Sequence, residues 1–184
     1  MKNLKQTRKV GTAGSFFNQL MGNNRTIPVV GKGATILHYS DRSAYEVLEV
    51  NEADLSCIID RYDPERVDKN GMSDCQSYKY EKLHGNPQRL VWRKKQGGTW
   101  CFHTKEVRII PKVLKELQSK SLKYCYDSMI KDVYGQEMVD KIWQEDEDGY
   151  LVMQVVEGIT KEYDRYDPVS IIFGVKQEYY DFSF

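Results

Sequence analysis

Residues 29–50 read VVGKGATILHYSDRSAYEVLEV and carry a complete β-hairpin signature. Residues 34–39 are predicted to form a strand whose side chains alternate between two faces, with Thr35, Leu37 and Tyr39 on one and Ala34, Ile36 and His38 on the other. The short polar side chains of residues 40–43 bond readily to their own backbone and favour a tight reversal. A second strand is predicted over residues 44–50, where the alternation slips once near Val47 and indicates a β-bulge.

More strands follow along the first half of the chain. They are predicted over residues 55–61, 76–83, 89–95 and 99–103. Short strands with turns at this spacing favour a bent antiparallel sheet or a small SH3-like β-barrel. The Asp63-Pro64 step is predicted to end the third strand, and the connection that follows it is predicted to be a surface loop.

The second half of the chain changes its period from two to that of a helix. A helical insertion is predicted over residues 111–147, where Pro111 suits a first helical turn. The apolar positions of this pattern include Val113, Leu114, Leu117, Tyr124, Cys125 and Met129. Strands return over residues 150–184, and the alternation of Tyr180, Phe182 and Phe184 predicts a terminal strand docked on the fold.

The chain is therefore predicted to be a single α+β domain behind a mobile basic N-terminus. The N-terminus covers residues 1–11, and a short amphipathic helix is predicted over residues 15–21. The domain covers residues 12–184. Its parts are a strand-rich portion (29–104), the helical insertion (111–147) and the C-terminal strands (150–184).

Several motifs occur in a fixed order along the chain. They are G-x-G-A-T from Gly31, S-D-R-x-A-Y-x-V-x-E-V from Ser40, N-G-M-S-D-x-Q-x-Y-x-Y from Asn70, and E-Y-Y-D-F-S-F at the C-terminus. This set resembles a family of small accessory proteins from tailed phages and prophages. The resemblance covers the first hundred residues and the last dozen, and it implies a phage-encoded protein without naming a reaction. The stretch over residues 105–167 departs from shorter members of that family.

Composition narrows the possible function classes. The chain carries 27 Lys plus Arg and 27 Asp plus Glu, and residues 1–99 hold 16 of the basic but 11 of the acidic side chains. This asymmetry fits either a basic surface for nucleic acid or two halves that neutralise each other. The start of the chain lacks an apolar signal region, and no apolar run reaches the ~18 residues of a spanning helix. We expect a protein of the host cytoplasm that does not bind membranes.

Binding chemistry is concentrated in two groups of residues. The candidate binding residues are Asp41, Arg42, Tyr45, Arg61, Tyr62, Arg66, Trp92, Arg93, Lys94 and Lys95. Cations interleaved with indoles around Trp92 suit a nucleic-acid surface, because cations neutralise phosphates and rings stack on bases. The same pattern fits a core tryptophan pair with cations outside, and the sequence does not separate the two interpretations. A pocket at Arg42, Tyr45 and Arg61 is the place expected for a sequestered nucleotide.

Catalytic motifs are absent from the sequence. It contains no G-x-x-x-x-G-K-[ST], G-x-S-x-G, H-E-x-x-H or C-x-x-C, and only His38, His84 and His103 offer imidazole bases. The acidic turn over residues 145–149 lacks the ligand spacing of a calcium loop. We therefore expect a non-enzymatic protein with no catalytic residue, cofactor or metal.

The pentapeptide Asp-Arg-Tyr-Asp-Pro occurs at residues 60–64 and again at residues 164–168. The flanks of the two copies differ, so two strand or loop ends with the same Asp-Pro turn chemistry are expected rather than an internal repeat. The functional interpretation is that Arg61 and Arg165 form paired contacts to anions or bases.

The phage resemblance and the lack of catalytic motifs together favour a host-directed inhibitor. The expected partner is a host protein or nucleoprotein complex, with a CRISPR nuclease as the leading example and nucleic acid itself as a possible ligand. The alternatives are a nucleic-acid-binding module, a nucleotide-sequestering protein and a virion component.

Overall fold

A computed structural model of the chain describes residue 4 and residues 26–94 and 98–182. These residues form nine strands and three helices. The strands are β1 (Gly33–Leu37), β2 (Arg42–Asn51), β3 (Ser56–Arg66), β4 (Tyr78–Leu83), β5 (Gln88–Arg93), β6 (Thr99–Ile109), β7 (Trp143–Glu145), β8 (Leu151–Met153) and β9 (Thr160–Phe173). The helices are α1 (Pro111–Lys120), α2 (Tyr126–Tyr134) and α3 (Gln136–Ile142). The predicted basic N-terminus and the helix predicted over residues 15–21 lie outside the described residues.

Six of the strands close into an antiparallel β-barrel. Their order is β2-β1-β9-β6-β5-β3, and pairing of β2 with β3 closes the cylinder. Strand β4 adds to the outer half of β3 as an extra strand. The barrel and the helices together confirm the prediction of an α+β fold with a small β-barrel.

The first hairpin forms as its alternation predicts. Ala34 faces Tyr45 across β1 and β2, and the register of β2 against β3 shifts between Val47 and Glu49, which confirms the bulge near Val47. Ala34 and Ile36 point into the barrel core, whereas Thr35 is buried on the opposite face of β1. A strand that is buried on both faces needs a cover outside the barrel, and the C-terminal residues supply it.

The barrel interior is filled by side chains from all six of its strands. Trp100 is fully buried and makes edge-to-face ring contacts with Trp92 at 5.7 Å and Phe173 at 5.3 Å between centroids. Such contacts add to the free energy that burial of large rings provides. The other buried members of this core are Ala34, Ile36, Tyr45, Val47, Cys57, Ile59, Leu90, Val169 and Ile171.

Three strands extend at least five residues beyond their predicted bounds. Strand β3 continues through the Asp63-Pro64 step to Arg66, β6 continues to Ile109, and β9 begins at Thr160. Both copies of the Asp-Arg-Tyr-Asp-Pro pentapeptide therefore lie inside strands, and the expectation that they mark strand or loop ends is wrong. Pro64 is tolerated because it lies at a register shift against β4, where a residue without an N–H breaks no regular ladder.

The chain divides into two compact units. The first covers Met1–His103 and Tyr166–Phe184, and the second covers Thr104–Arg165, which is wider than the helical insertion predicted over residues 111–147. The second unit has its own core, formed by Ile109, Val113, Leu117, Met129, Ile130, Ile142 and Ile159. Of the two strands in its small sheet, the sequence pattern predicted β8 but not β7. None of the helices in the described ranges has the length and apolar character required to cross a membrane.

Candidate functional site

The C-terminal segment, residues 174–182, lies along the outside of the barrel without forming a regular strand. The N–H of Gly174 donates to the carbonyl of Gly33 at 2.8 Å, and Thr35 Oγ1 donates to the carbonyl of Val175 at 2.9 Å. A Cβ on Gly33 would come within 2.7 Å of the Cβ of Lys176, so only glycine permits this approach. Gly33 of the G-x-G-A-T motif therefore serves packing of the C-terminal segment.

Glu178 is the centre of the docked segment. One carboxylate oxygen accepts the N–H of Ala44 at 2.8 Å, and the other accepts from Arg61 Nη2 at 3.2 Å. The N–H of Glu178 donates to the hydroxyl of Tyr80 at 2.8 Å. Burial raises the pKa of Glu178, and the contacts with Ala44 and Arg61 oppose that rise.

The residues after Glu178 bind the first hairpin. Arg42 and Tyr179 exchange two backbone hydrogen bonds at 2.9 and 3.0 Å, and the Arg42 guanidinium lies 5.5 Å from the centre of the Tyr179 ring. The hydroxyl of Tyr179 donates to Asp74 at 2.9 Å, and the N–H of Asp181 donates to Asp41 at 2.8 Å. An isolated bridge thus replaces the docked terminal strand that the alternation predicted.

The tip of the segment contacts the loop before β4. Gln76 accepts the N–H of Tyr180 at 3.0 Å and donates to its carbonyl at 2.6 Å. Arg66 forms a bidentate pair with Asp68 and lies 5.4 Å from the centre of the Phe182 ring. Tyr180 remains 53% exposed, so its ring is not buried as predicted, and Phe184 of the same prediction lies outside the described residues.

An aromatic platform supports the start of the segment. The Lys176 ammonium lies 4.4 Å from the centre of the Tyr62 ring and 5.1 Å from that of Tyr80. The hydroxyl of Tyr62 donates to the carboxylate of Glu46. Burial and the Glu46 carboxylate raise the pKa of Tyr62 to about 12, so its hydroxyl remains a proton donor at neutral pH.

Sequence motifs that are far apart in the chain therefore meet at one place. Asp41, Arg42, Arg61, Tyr62 and Arg66 were predicted to bind an external ligand, and all five contact the C-terminal segment. Sequence reasoning missed the residues that complete the arrangement, namely Asp74, Gln76, Tyr80 and Glu178. All four belong to the N-G-M-S-D-x-Q-x-Y-x-Y or E-Y-Y-D-F-S-F motifs, whose joint presence was the available signal.

Tyr45, the remaining residue of the first predicted group, is buried and borders a shallow polar pocket of about 350 Å³. Arg61, His84, Asn86 and Gln88 also line this pocket. Arg42 does not, so the pocket expected at Arg42, Tyr45 and Arg61 contains two of those three residues. Its polar walls suit a small polar ligand.

The second predicted group does not form a row of exposed rings and cations. Trp92 is 8% exposed and belongs to the barrel core, which settles the choice between a stacking surface and a core tryptophan pair in favour of the core. The guanidinium of Arg93 lies 3.9 Å from the centre of the Tyr166 ring, and its Nε has no hydrogen-bond partner among the described residues. Lys94 is exposed, and Lys95 lies outside the described residues.

The three histidines occupy separate environments. His38 Nε2 lies 3.0 Å from the hydroxyl oxygen of Ser43, and burial lowers the pKa of His38. Ser43 is itself buried, so its hydroxyl does not face solvent. His84 lies 3.6 Å from Asp63, and His103 stacks on Tyr166. Within residues 26–94 and 98–182, no group of three or more His, Cys, Asp or Glu side chains is placed to hold a metal ion.

A second candidate surface is the loop over residues 121–125, between α1 and α2. Leu122 is 99% exposed and Tyr124 is 100% exposed, although the helical pattern counted Tyr124 among its apolar positions. The loop is nevertheless anchored, because Ser121 and Lys123 donate to the two carboxylate oxygens of Asp132 at 2.9 and 2.8 Å. The pairs with Lys123 and Ser121 lower the pKa of Asp132 and keep it ionised.

No protein-family model, no curated protein and no solved structure matches the chain.

Proposed function

We propose that this chain is a non-enzymatic, phage-encoded accessory protein of the host cytoplasm that inhibits a host defence complex by binding to it. The leading candidate partner is a CRISPR nuclease, which is a nucleoprotein complex. The phage origin and the choice of partner rest on the resemblance of the sequence motifs to those of phage accessory proteins. The binding mode rests on the surface of the protein.

The observation that carries the proposal is the anchored loop over residues 121–125. Moving a large apolar side chain out of water is favourable, and Tyr is enriched among the residues that dominate protein interfaces. Leu122 and Tyr124 lose none of their water contact in the folded chain. Because Asp132 holds the loop in place from both sides of Leu122, binding would cost little additional ordering of the loop.

The C-terminal segment supports the same proposal from the other unit. Its contacts hold Asp41, Arg42, Arg61, Tyr62 and Arg66 in fixed positions, as in a rigid scaffold. The exposed side chains of this region include those of Arg61, Val175 and Tyr180. Direct nucleic-acid binding remains an alternative. Lys94 is exposed, but Trp92 lies in the core and offers no ring for stacking on bases.

The test is DNA cleavage by purified CRISPR effector complexes of the phage host, measured with increasing amounts of this protein. Wild type is expected to inhibit in proportion to its molar ratio to the nuclease, as a binder does. The double variant Leu122→Ser/Tyr124→Ser is expected to require about tenfold more protein for the same inhibition. Tyr150→Ser is the matched control, because Tyr150 is 70% exposed in the same unit but lies outside the loop.

Three results would contradict the proposal. Cleavage that is unaffected by wild-type protein would rule out the nuclease as the partner. Inhibition at amounts far below the nuclease concentration, increasing with time, would indicate turnover and therefore an enzyme. Equal inhibition by the double variant and wild type would remove the loop from the interface.

A nucleotide-sequestering function has one specific observation in its favour, the polar pocket beside Arg61. Its volume of about 350 Å³ lies at the lower end of the range for small-ligand sites, which begins near ~300 Å³. Arg61 and Asn86 offer donors to a phosphate or a base. Mass spectrometry of small molecules released by heating the purified protein tests this function, and recovery of no nucleotide counts against it.

A further inference from the structure

The second unit contains a groove that is larger than the pocket beside Arg61 and has a different character. Its volume is about 750 Å³, and all its walls come from residues 106–153. The apolar wall consists of Val107, Pro111, Leu114, Tyr126, Trp143 and Met153. Trp143 and Met153 are paired across β7 and β8, and Leu114 and Lys115 belong to α1, so the small sheet and this helix both border the groove.

The apolar wall is only partly covered by the protein itself. Leu114, Trp143 and Met153 pack against the core of the second unit but keep part of their surface in contact with solvent. A ligand with an apolar ring or chain would remove that surface from water. Grooves of this volume lie within the range of small-molecule sites, ~300–1,000 Å³.

The indole N–H of Trp143 is not part of the groove surface. Trp143 Nε1 is buried, and it has no hydrogen-bond acceptor among the residues that the structure describes. Because this atom has no solvent-exposed surface, a ligand in the open groove does not reach it, and Trp143 contributes only its ring to the apolar wall.

The charge at the groove is positive. Glu106 is the acidic residue of the lining, and it is paired with Arg108 at 2.6 Å and with Arg165 at 3.5 Å. Lys115 lies on the exposed side of α1 and has no ion pair within the described ranges. Because Glu106 is already paired, it does not neutralise the charge of Lys115. An anionic group on a ligand would complement the charge of this groove.

We propose that the groove of the second unit binds a small amphipathic acid, an apolar ring or chain that carries a carboxylate or sulfonate. The apolar wall takes the ring or chain. The ammonium of Lys115 neutralises the acidic group. This binding site is independent of the loop over residues 121–125 and does not require the proposed inhibitory function.

The test uses the fluorescent aryl sulfonate 8-anilinonaphthalene-1-sulfonate with the full chain. Wild type is expected to bind it saturably at one site per chain. Lys115→Gln is expected to weaken binding about two- to fivefold, the range for one partly exposed ion pair. Lys112→Gln is the control, since Lys112 is exposed on the same helix but does not line the groove, and its affinity should equal that of wild type.

The sign of the ligand's charge is tested by competition. Sodium octanoate should displace the probe, whereas octylammonium at the same concentration should not.

Each arm has a result that would overturn the proposal. Absence of saturable binding by wild type removes the site. Equal affinities for Lys115→Gln and Lys112→Gln, or equal displacement by octanoate and octylammonium, remove its acidic specificity.

Discussion

The two copies of Asp-Arg-Tyr-Asp-Pro are the most informative pair of regions in this molecule. The first copy, residues 60–64, lies in β3, and the second, residues 164–168, lies in β9. Asp60 is 3% exposed and accepts the N–H groups of Gly85 and Asn86 at 3.0 and 3.2 Å. Asp164 is exposed, and together with Glu162 it raises the pKa of Lys105. The same residue is thus a buried anchor of a turn in one copy and a surface charge in the other.

The arginines and tyrosines differ in the same way. Arg61 pairs with Glu178 of the C-terminal segment, whereas Arg165 pairs with Glu106. Tyr62 is buried and its hydroxyl binds Glu46, while the ring of Tyr166 stacks on His103 at 4.9 Å between centroids. Identical side chains therefore have different roles because their partners come from distant parts of the chain. The hypothesis of paired anion or base contacts was built on the identity of the copies, and both arginines have glutamate partners.

The largest expected difference between the copies is at the first aspartate. Asp60→Ala removes the buried carboxylate that accepts two N–H groups of the turn, so we expect the free energy of unfolding to fall by about 1.5–3 kcal/mol. Asp164→Ala is the matched control and should leave the unfolding midpoint close to that of wild type. Urea denaturation of both variants measures the difference. Equal midpoints for the two variants would show that burial does not distinguish the copies.

The tyrosines should differ by a smaller amount. Tyr62→Phe loses the hydrogen bond to Glu46, and we expect a loss of about 1 kcal/mol in the free energy of unfolding. Tyr166→Phe keeps the ring that stacks on His103 and lies under Arg93, so its unfolding midpoint should change less. The same urea measurement applies. A larger loss for Tyr166→Phe than for Tyr62→Phe would reverse this order.

The arginines test what holds the C-terminal segment. Arg61→Ala removes one partner of Glu178, and the N–H groups that bind the segment at Ala44 and Tyr179 should exchange with deuterium up to about fivefold faster. Arg165→Ala has its partner in the second unit and should leave the exchange of both amides unchanged. Exchange rates that are insensitive to Arg61→Ala would mean that this pair does not restrain the segment.

The pKa values of the two glutamates that pair with Arg61 and Arg165 should be shifted in opposite directions. Burial raises the pKa of Glu178, whereas the hydrogen bond from Arg108 lowers that of Glu106. Glu178 therefore stabilises the fold most below the ordinary glutamate value of ~4.3, and this contribution is lost as the pH rises through its raised pKa. Glu106 contributes above that value and loses its contribution as the pH falls through its lowered pKa.

Carboxyl-carbon NMR shifts across a pH titration measure both midpoints directly. Glu178→Gln and Glu106→Gln assign the two signals, because each variant removes one of them. A Glu178 midpoint below that of Glu106 would contradict the difference between the two environments.

The elements that follow from short-range patterns were predictable. The first hairpin, its bulge at Val47 and the start of the helical region at Pro111 all depend on residues within a few positions of one another. Side-chain alternation and proline geometry act over that distance, so these elements can be predicted from the sequence alone. The candidate site was predictable only in part, since five of its residues followed from the sequence and Gln76, Tyr80 and Glu178 did not.

Partner choice was not predictable, because it depends on contacts between residues that lie far apart in the chain. Glu178 meets Ala44 across 134 positions, and Gln76 meets Tyr180 across 104. The inward position of Trp92 and the outward position of Tyr124 likewise follow from barrel closure and from the end of α1 at Lys120. The local sequence pattern predicts which side chains share a face. Which face is buried, and by which residues, is decided only in the folded chain, because burial depends on the packing of all elements.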